Sequence, residues 1–157
     1  MHMPAISVRA RVMAGYIDRN AVAETLNRYA ATTALTLVYN DHRTTLEKMR
    51  ADLGRLKRRI DRAIYGRHFD RMPPADLSQC WAVVEGLGEH PHLHIGLKLP
   101  DGGQAILADL LDNSIGGKVR AWEKIAPAGS YEISAADDQW AHYATKELTD
   151  SACVFLF

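Results

Sequence analysis

Apolar residues recur along this chain with two different periods. Between residues 46 and 63 they fall at Leu46, Met49, Leu53, Leu56, Ile60 and Ala63. Steps of three and four put all six on one stripe of a helix roughly twenty residues long. Thr44-Thr45-Leu46-Glu47 precedes the stripe. It fits a capping box, with Thr44 as N-cap and Glu47 at the third helical position. Other apolar, β-branched runs lie between turn residues and read as strands. They are TALTLVYN (33–40), QCWAVVE (79–85) and HLHIGLKL (92–99). The last two are joined by a loop holding Gly86 and Gly88 and predict an antiparallel hairpin. KVRAWEKI (118–125) alternates and predicts another strand, and a further short strand is predicted near 131–133.

Three more helices are predicted. The first covers 20–30, with Asn20 as N-cap and Val22, Leu26 and Tyr29 on one side. The second is QAILADLLDN (104–113), after the Asp101-Gly102-Gly103 turn and stopped by Gly116-Gly117. The third is opened by Ser134-Ala135-Ala136-Asp137 and carries Trp140, Tyr143 and Lys146. Antiparallel strands with helices packed on them predict an α+β fold with a central antiparallel β-sheet and flanking helices. No internal repeat or linker divides the chain, so residues 1–157 are expected to form a single domain. Residues 1–30 precede its core as an N-terminal extension.

Composition narrows the class. Apolar residues are 47% and charged residues 24% of 157, which is ordinary globular usage and excludes collagen, a coiled-coil rod and low-complexity disorder. No apolar run approaches the ~20 residues that span a bilayer. The opening MHMPAISVRA lacks the apolar stretch of a signal peptide. The only cysteines, Cys80 and Cys153, suit neither a disulfide framework nor a cysteine zinc site. A cytoplasmic protein without a membrane partner is the expectation.

Charge changes the picture once its distribution is followed. Nineteen Lys/Arg balance nineteen Asp/Glu. Residues 43–71, however, hold ten Lys/Arg against four Asp/Glu, a net +6 that leaves −6 for the remainder. Arg50, Arg55, Lys57, Arg58, Arg59 and Arg62 lie mostly off the apolar stripe of the long helix. They are candidates for phosphate contacts, although a solvated helix face accounts for the same pattern.

The candidate chemistry lies in His90-Pro91-His92-Leu93-His94. Side chains at i and i+2 of a strand share a face, so His92 and His94 sit ~6.6 Å apart along it and can converge on one ion. His90 is too far along the strand to join them. In a hairpin of 79–85 with 92–99, Glu85 falls opposite His92, with Cβ atoms ~5 Å apart on the same face. Imidazole with carboxylate suits Mn, Zn or a similar divalent ion, and Mg where phosphate adds oxygens. Glu89 is a rival carboxylate in the loop. Tyr143 and Lys146 share a helix face at i and i+3. There a cation could steady the developing charge of a tyrosine attack.

In order and spacing these motifs resemble the HUH endonuclease family, over roughly residues 33–148. His92-Leu93-His94 matches the two histidines flanking a hydrophobic residue, and Leu35-Thr36-Leu37-Val38-Tyr39 the hydrophobic strand ahead of the metal site. Tyr143 and Lys146 match the third motif of single-tyrosine rolling-circle replication initiators. The resemblance implies a ferredoxin-like, RRM-like catalytic core. It also implies a metal-dependent endonuclease that nicks and rejoins single-stranded DNA at a defined site. Glu85, His92 and His94 would hold Mn or Mg, and Tyr143 would form a covalent 5′-phosphotyrosine linkage with Lys146 supporting it. Such an enzyme acts on single-stranded DNA or an origin hairpin of a plasmid or phage. The sequence has no G-x-x-x-x-G-K-[ST], and Ile115-Gly116-Gly117-Lys118 lacks its first glycine and final hydroxyl residue. No helicase domain is therefore expected, and a separate helicase would unwind the DNA. An HUH tyrosine transposase is the nearest alternative, with Gln139 at i−4 from Tyr143. A non-catalytic nucleic-acid-binding module that binds through the basic helix is the alternative from another class.

Overall fold

The computed structural model describes residues 12–13, 16–112, 121–126 and 129–157. The strands are β1 (Val12–Met13), β2 (Tyr16–Ile17), β3 (Thr33–Val38), β4 (Gln79–Glu85), β5 (His92–Lys98), β6 (Ser130–Ala135) and β7 (Val154–Leu156). The helices are α1 (Arg19–Asn27), α2 (Leu46–Tyr65), α3 (Gly103–Asp112), α4 (Ala121–Ile125) and α5 (Trp140–Ala144). β1 and β2 form a small separate ribbon. The other strands make one sheet in the order β6-β3-β5-β4-β7, with every neighbour antiparallel. Without β7, the inner order is last, first, third, second of four strands in a β-α-β-β-α-β chain, which is the split βαβ arrangement of ferredoxin-like folds. The expected α+β class is thus the observed one.

Alternation along β3, β4 and β5 divides the sheet into two faces. Leu35, Leu37, Ala82, Val84, Leu93, Ile95 and Leu97 point to one face, where they meet Met49, Leu53, Leu56 and Ile60 of α2 in the main core. Leu107 and Leu111 of α3 and Trp122 of α4 complete this cover. Trp81 and Val83 point the other way, into a smaller cluster with Ala23 and Leu26 of α1, Ala141 and Ala144 of α5, and Leu148. Gly96 lies opposite Trp81 in the register. A Cβ there would overlap the indole ring, so the glycine lets the tryptophan lie flat on β5. Because α1 packs into this second cluster, that part of the N-terminal 1–30 is built into the fold.

Several local expectations are corrected. The N-cap of α1 is Asp18, whose carboxylate accepts the Ala21 N–H at 3.1 Å, and not Asn20. The N-cap of α2 is Thr45, which accepts from the Lys48 N–H at 3.2 Å. Thr44 instead donates its hydroxyl to the Asp41 carbonyl at 2.7 Å, closing the turn before the helix. The stripe of α2 ends on Ile64, which packs on the core, while Ala63 is exposed. Residues 121–125 are helix where a strand is expected. Trp122 and Ile125 stand at i and i+3, a spacing that alternation alone does not separate from a strand in so short a run. The helical form buries Trp122 against Tyr39, ring centroids 5.0 Å apart. Residues 118–120 and the Gly116-Gly117 stop lie outside the described residues.

Ser134 and Ala135 belong to β6, paired with Ala34 and Thr33, so no cap forms at Ser134. α5 begins only at Trp140, and Lys146 lies in the turn that follows the helix. β7 has no counterpart among the expected strands. It pairs with β4 and buries Phe155 in the main core.

Candidate active site

The register of β4 with β5 sets Glu85 opposite His92, as the hairpin reading expects. Glu85, His92 and His94 share the face of the sheet that carries α1 and α5. One ligand atom from each of the three lies within 4.8 Å of the others. The Glu85 carboxylate Oε2 is 3.0 Å from His94 Nε2 and 3.6 Å from His92 Nε2. Among the described residues no other group of three His, Cys, Asp or Glu side chains converges in this way. Glu89 is exposed on the loop and stands apart from the cluster.

The far nitrogens explain why the rings face inward. His92 Nδ1 is 2.8 Å from the carbonyl of His90. A carbonyl only accepts, so Nδ1 carries the proton and leaves the Nε2 lone pair of neutral His92 toward Glu85. Gly86 makes this contact possible. Its φ of 72° belongs to glycine, and a Cβ there would overlap the His90 carbonyl and come within 3.4 Å of His92 Nδ1. His94 Nδ1 is 3.4 Å from Thr36 Oγ1, and Thr36 is its register partner on β3. A hydroxyl either gives or takes a proton, so it can support Nδ1 both before and after Nε2 gives up its own. Histidine ligands with the second nitrogen held in this way are the usual arrangement at metal centres. The donor set of two imidazoles and one carboxylate therefore fits a divalent ion.

His94 is 3% exposed. Burial, together with neighbouring His92, holds its imidazole below the ordinary pKa, while Glu85 pulls the other way. It therefore stays neutral, and able to ligate, at a lower pH than a free imidazole.

Above the cluster sits α5. The Tyr143 and Trp140 rings stack 5.5 Å apart, and each presents an edge-on contact to His94, at 5.2 and 5.5 Å. Trp140 is anchored by an Nε1 hydrogen bond to the Ile95 carbonyl at 2.9 Å. Tyr143 is 49% exposed, so its ring is open to solvent. Lys146 Nζ lies 4.1 Å from the centre of the Tyr143 ring. The other tyrosines of the core are placed differently. Tyr39 donates to buried Asp52 at 3.0 Å, and burial with that carboxylate raises its pKa far above the ordinary value. Tyr131 lies opposite Leu37 in the register, on the α2 side, and hydrogen-bonds Asp112 at 2.9 Å.

The six cations of the basic helix are not brought to this site. α2 covers the opposite face of the sheet. Arg55 pairs with Asp52, and Lys57 Nζ lies 2.7 Å from Asp61. Both aspartates are buried, and Asp61 also accepts from the Ser78 backbone N–H. Arg50 stacks on Phe155 and Arg58 on Phe69. Arg59 and Arg62 are exposed.

Gly86, Thr36 and Trp140 join the site without a signal in the local pattern. Thr36 follows only from pairing the 33–38 and 92–98 strands. Trp140 stands at i−3 from Tyr143, but its contact with His94 depends on where α5 lands.

No family model matches this chain, and neither a curated protein nor a solved structure does. No helix among the described residues is long and apolar enough to cross a membrane.

Proposed function

We propose that this protein is a metal-dependent enzyme that nicks and rejoins single-stranded DNA through Tyr143, as a rolling-circle replication initiator of the HUH type would. One observation carries the reading. An accessible tyrosine with a lysine against its ring stands edge-on to His94, within a Glu85/His92/His94 cluster fit to hold a divalent ion.

A divalent ion held by Glu85, His92 and His94 would supply Lewis-acid polarisation of a phosphodiester oxygen. The chain's own groups do the rest. The Tyr143 oxygen attacks phosphorus and forms the new P–O bond, and the bond from phosphorus to the 3′-oxygen breaks. The 5′-phosphate stays on Tyr143, and the proton lost by the phenol is balanced by the one gained at the released 3′-hydroxyl. The Lys146 ammonium opposes the negative charge that develops on the phenolic oxygen. Trp140 holds the ring plane of Tyr143 by stacking. Reversal rejoins the strand without ATP, because the ester conserves the bond energy.

The test is incubation with a pool of single-stranded oligonucleotides and Mn, followed by a search for a protein–DNA adduct that survives SDS. Tyr143→Phe removes one oxygen and keeps the ring, so the adduct should vanish with folding and metal binding unchanged. An adduct that persists in Tyr143→Phe moves the nucleophile elsewhere. Cleavage by the wild type with no adduct means that water is the nucleophile and the protein is a hydrolytic nuclease.

A further inference from the structure

α5 has only five residues, and the Thr145 and Lys146 N–H groups close its end on the Ala141 and Tyr143 carbonyls, which leaves the carbonyls of the turn itself to find partners elsewhere. The turn after it, 145–147, carries Lys146. A side chain from the other end of the chain supplies partners there. Arg19, the first residue of α1, donates Nε–H to the Leu148 carbonyl at 2.9 Å and Nη1–H to the Lys146 carbonyl at 2.6 Å. The planar fork of a guanidinium suits two carbonyls at once, which the single ammonium of a lysine does not. At the opposite end of α5, Asn27 Nδ2 donates to the Asp138 carbonyl at 3.1 Å. Between the two, Ala23 and Leu26 pack against Ala141 and Ala144. α1 thus grips the tyrosine segment at both ends.

We infer that Arg19 is a positioning residue for the reaction: it fixes the turn that holds Lys146 against Tyr143. The inference rests on the nicking reading for its catalytic consequence, but its geometric content stands apart from it. Arg19 touches neither the ring nor the candidate metal ligands in any hydrogen bond or ion pair described above. Its effect passes through the main chain of residues 146–148.

The test uses the full chain with Arg19→Met, which keeps the length of the side chain and removes both donors, and Arg19→Lys. The first readout needs no activity. In the wild type, Lys146 Nζ lies 4.1 Å from the centre of the Tyr143 ring, so the ring current should shift the neighbouring ε-methylene protons upfield in the NMR spectrum. Arg19→Met should collapse that shift toward the free value while leaving the signals of Trp81 and Trp140 in place. The second readout is the rate of adduct formation. Arg19→Met should lower it on the order of 10-fold to 100-fold, the scale of a small misplacement of a catalytic group. Affinities for Mn and for the strand should stay within about 2-fold, an effect under half a kcal/mol. Arg19→Lys should recover part of the rate. In a Lys146→Ala background, Arg19→Met should add nothing further.

An unchanged Lys146 shift in Arg19→Met overturns the inference, and so does a rate loss that simply adds to that of Lys146→Ala. A general loss of the tryptophan signals would assign Arg19 to stability alone and overturn it too. If the wild type forms no adduct with any strand, the nicking reading fails, and the NMR result still decides whether Arg19 sets the turn.

Discussion

The two faces of the sheet are built from the same three strands and have opposite characters. On the α2 side, Leu35, Leu37, Leu93 and Ile95 meet Leu53, Leu56 and Ile60 with no exposure above 1%. Its buried charges, Asp52 and Asp61, are both paired. On the α1/α5 side, the same strands offer Thr36, Gly96, Glu85, His92 and His94. The cover is short, and small residues, Ala23, Ala141 and Ala144, bring it close. A strand that alternates can serve both purposes, because each residue belongs to one face only. The α2 face holds the larger core, while the other buries Trp81 and Val83 under α1 and α5 and carries the imidazole pair and an exposed tyrosine beside them.

The largest effects should separate the faces cleanly. Leu56→Ala, on the closed face, should cost about 2–5 kcal/mol of stability. Its affinity for Mn, measured by calorimetry under conditions where it is still folded, should be near wild type. His92→Ala combined with His94→Ala should do the reverse, with Mn binding and cleavage lost and the melting midpoint little moved. A double-histidine variant that still cleaves in a metal-dependent way would dismiss the Glu85/His92/His94 centre. One that no longer folds would show that the open face is structural as well.

Gly86→Ala tests the support behind the open face. The added methyl must displace the His90 carbonyl from His92 Nδ1. Removing such an outer partner typically costs about 10- to 100-fold in metal affinity. The same change at Gly88, whose φ is 85° but where a Cβ meets nothing within 4 Å, strains the loop without touching His92. Equal losses at the two positions would mean that loop strain, and not the His90 hydrogen bond, sets the affinity.

How far this division can be read from the sequence depends on the span of each signal. The face of α2 is legible because its stripe repeats through five turns of helix. The hairpin register is legible because Glu85 and His92 flank a short loop, and the pairing of Glu85 with His92 follows from it. Trp122 is not legible: its neighbours fit two periods, and only its burial against Tyr39 goes with the helical form. β7 is a three-residue strand whose place beside β4 is a long-range pairing that no local pattern encodes. The placing of α1 against α5 is of the same kind. It rests on Arg19, Asn27 and the packing of Ala23 and Leu26 with Ala141, Ala144 and Leu148, over a separation of more than a hundred residues. For the same reason, a charge run on α2 says that a basic surface exists but not which face of the sheet it shares.

A smaller effect belongs to pH. Burial holds His94 below its ordinary pKa of ~6.5. The unfolded chain therefore takes up this proton first as pH falls. In metal-free protein, the contribution is neutral well above pH ~6.5 and becomes destabilising as pH drops through the ordinary value toward the lower folded one. His94→Gln should remove that part of the acid-side fall in melting temperature. An identical pH profile in the variant would show that the imidazole gains its proton as easily in the fold as out of it.

The smallest effect expected is at the basic helix, and it bears most directly on whether the two faces act separately. Arg55 and Lys57 are tied to buried aspartates, and Arg50 and Arg58 lie over aromatic rings. Arg59 and Arg62 are exposed, but α2 covers the face of the sheet away from Tyr143. On the proposed reading, a short single strand held at Tyr143 would have to pass around a sheet edge to reach them. Arg59→Glu with Arg62→Glu should therefore leave the dependence of strand affinity on salt almost unchanged. If the two arginines did neutralise phosphates, each would instead account for ~0.7 of the log–log slope, and the slope would fall by that amount in its absence. Measuring Kd at several salt concentrations, with oligonucleotides of increasing length, distinguishes the two. A slope that stays constant at every length makes α2 the solvated outer surface of the closed face. A drop that emerges only with longer strands would mean that DNA wraps the edge of the sheet, and that the closed face contributes to binding as well as to stability.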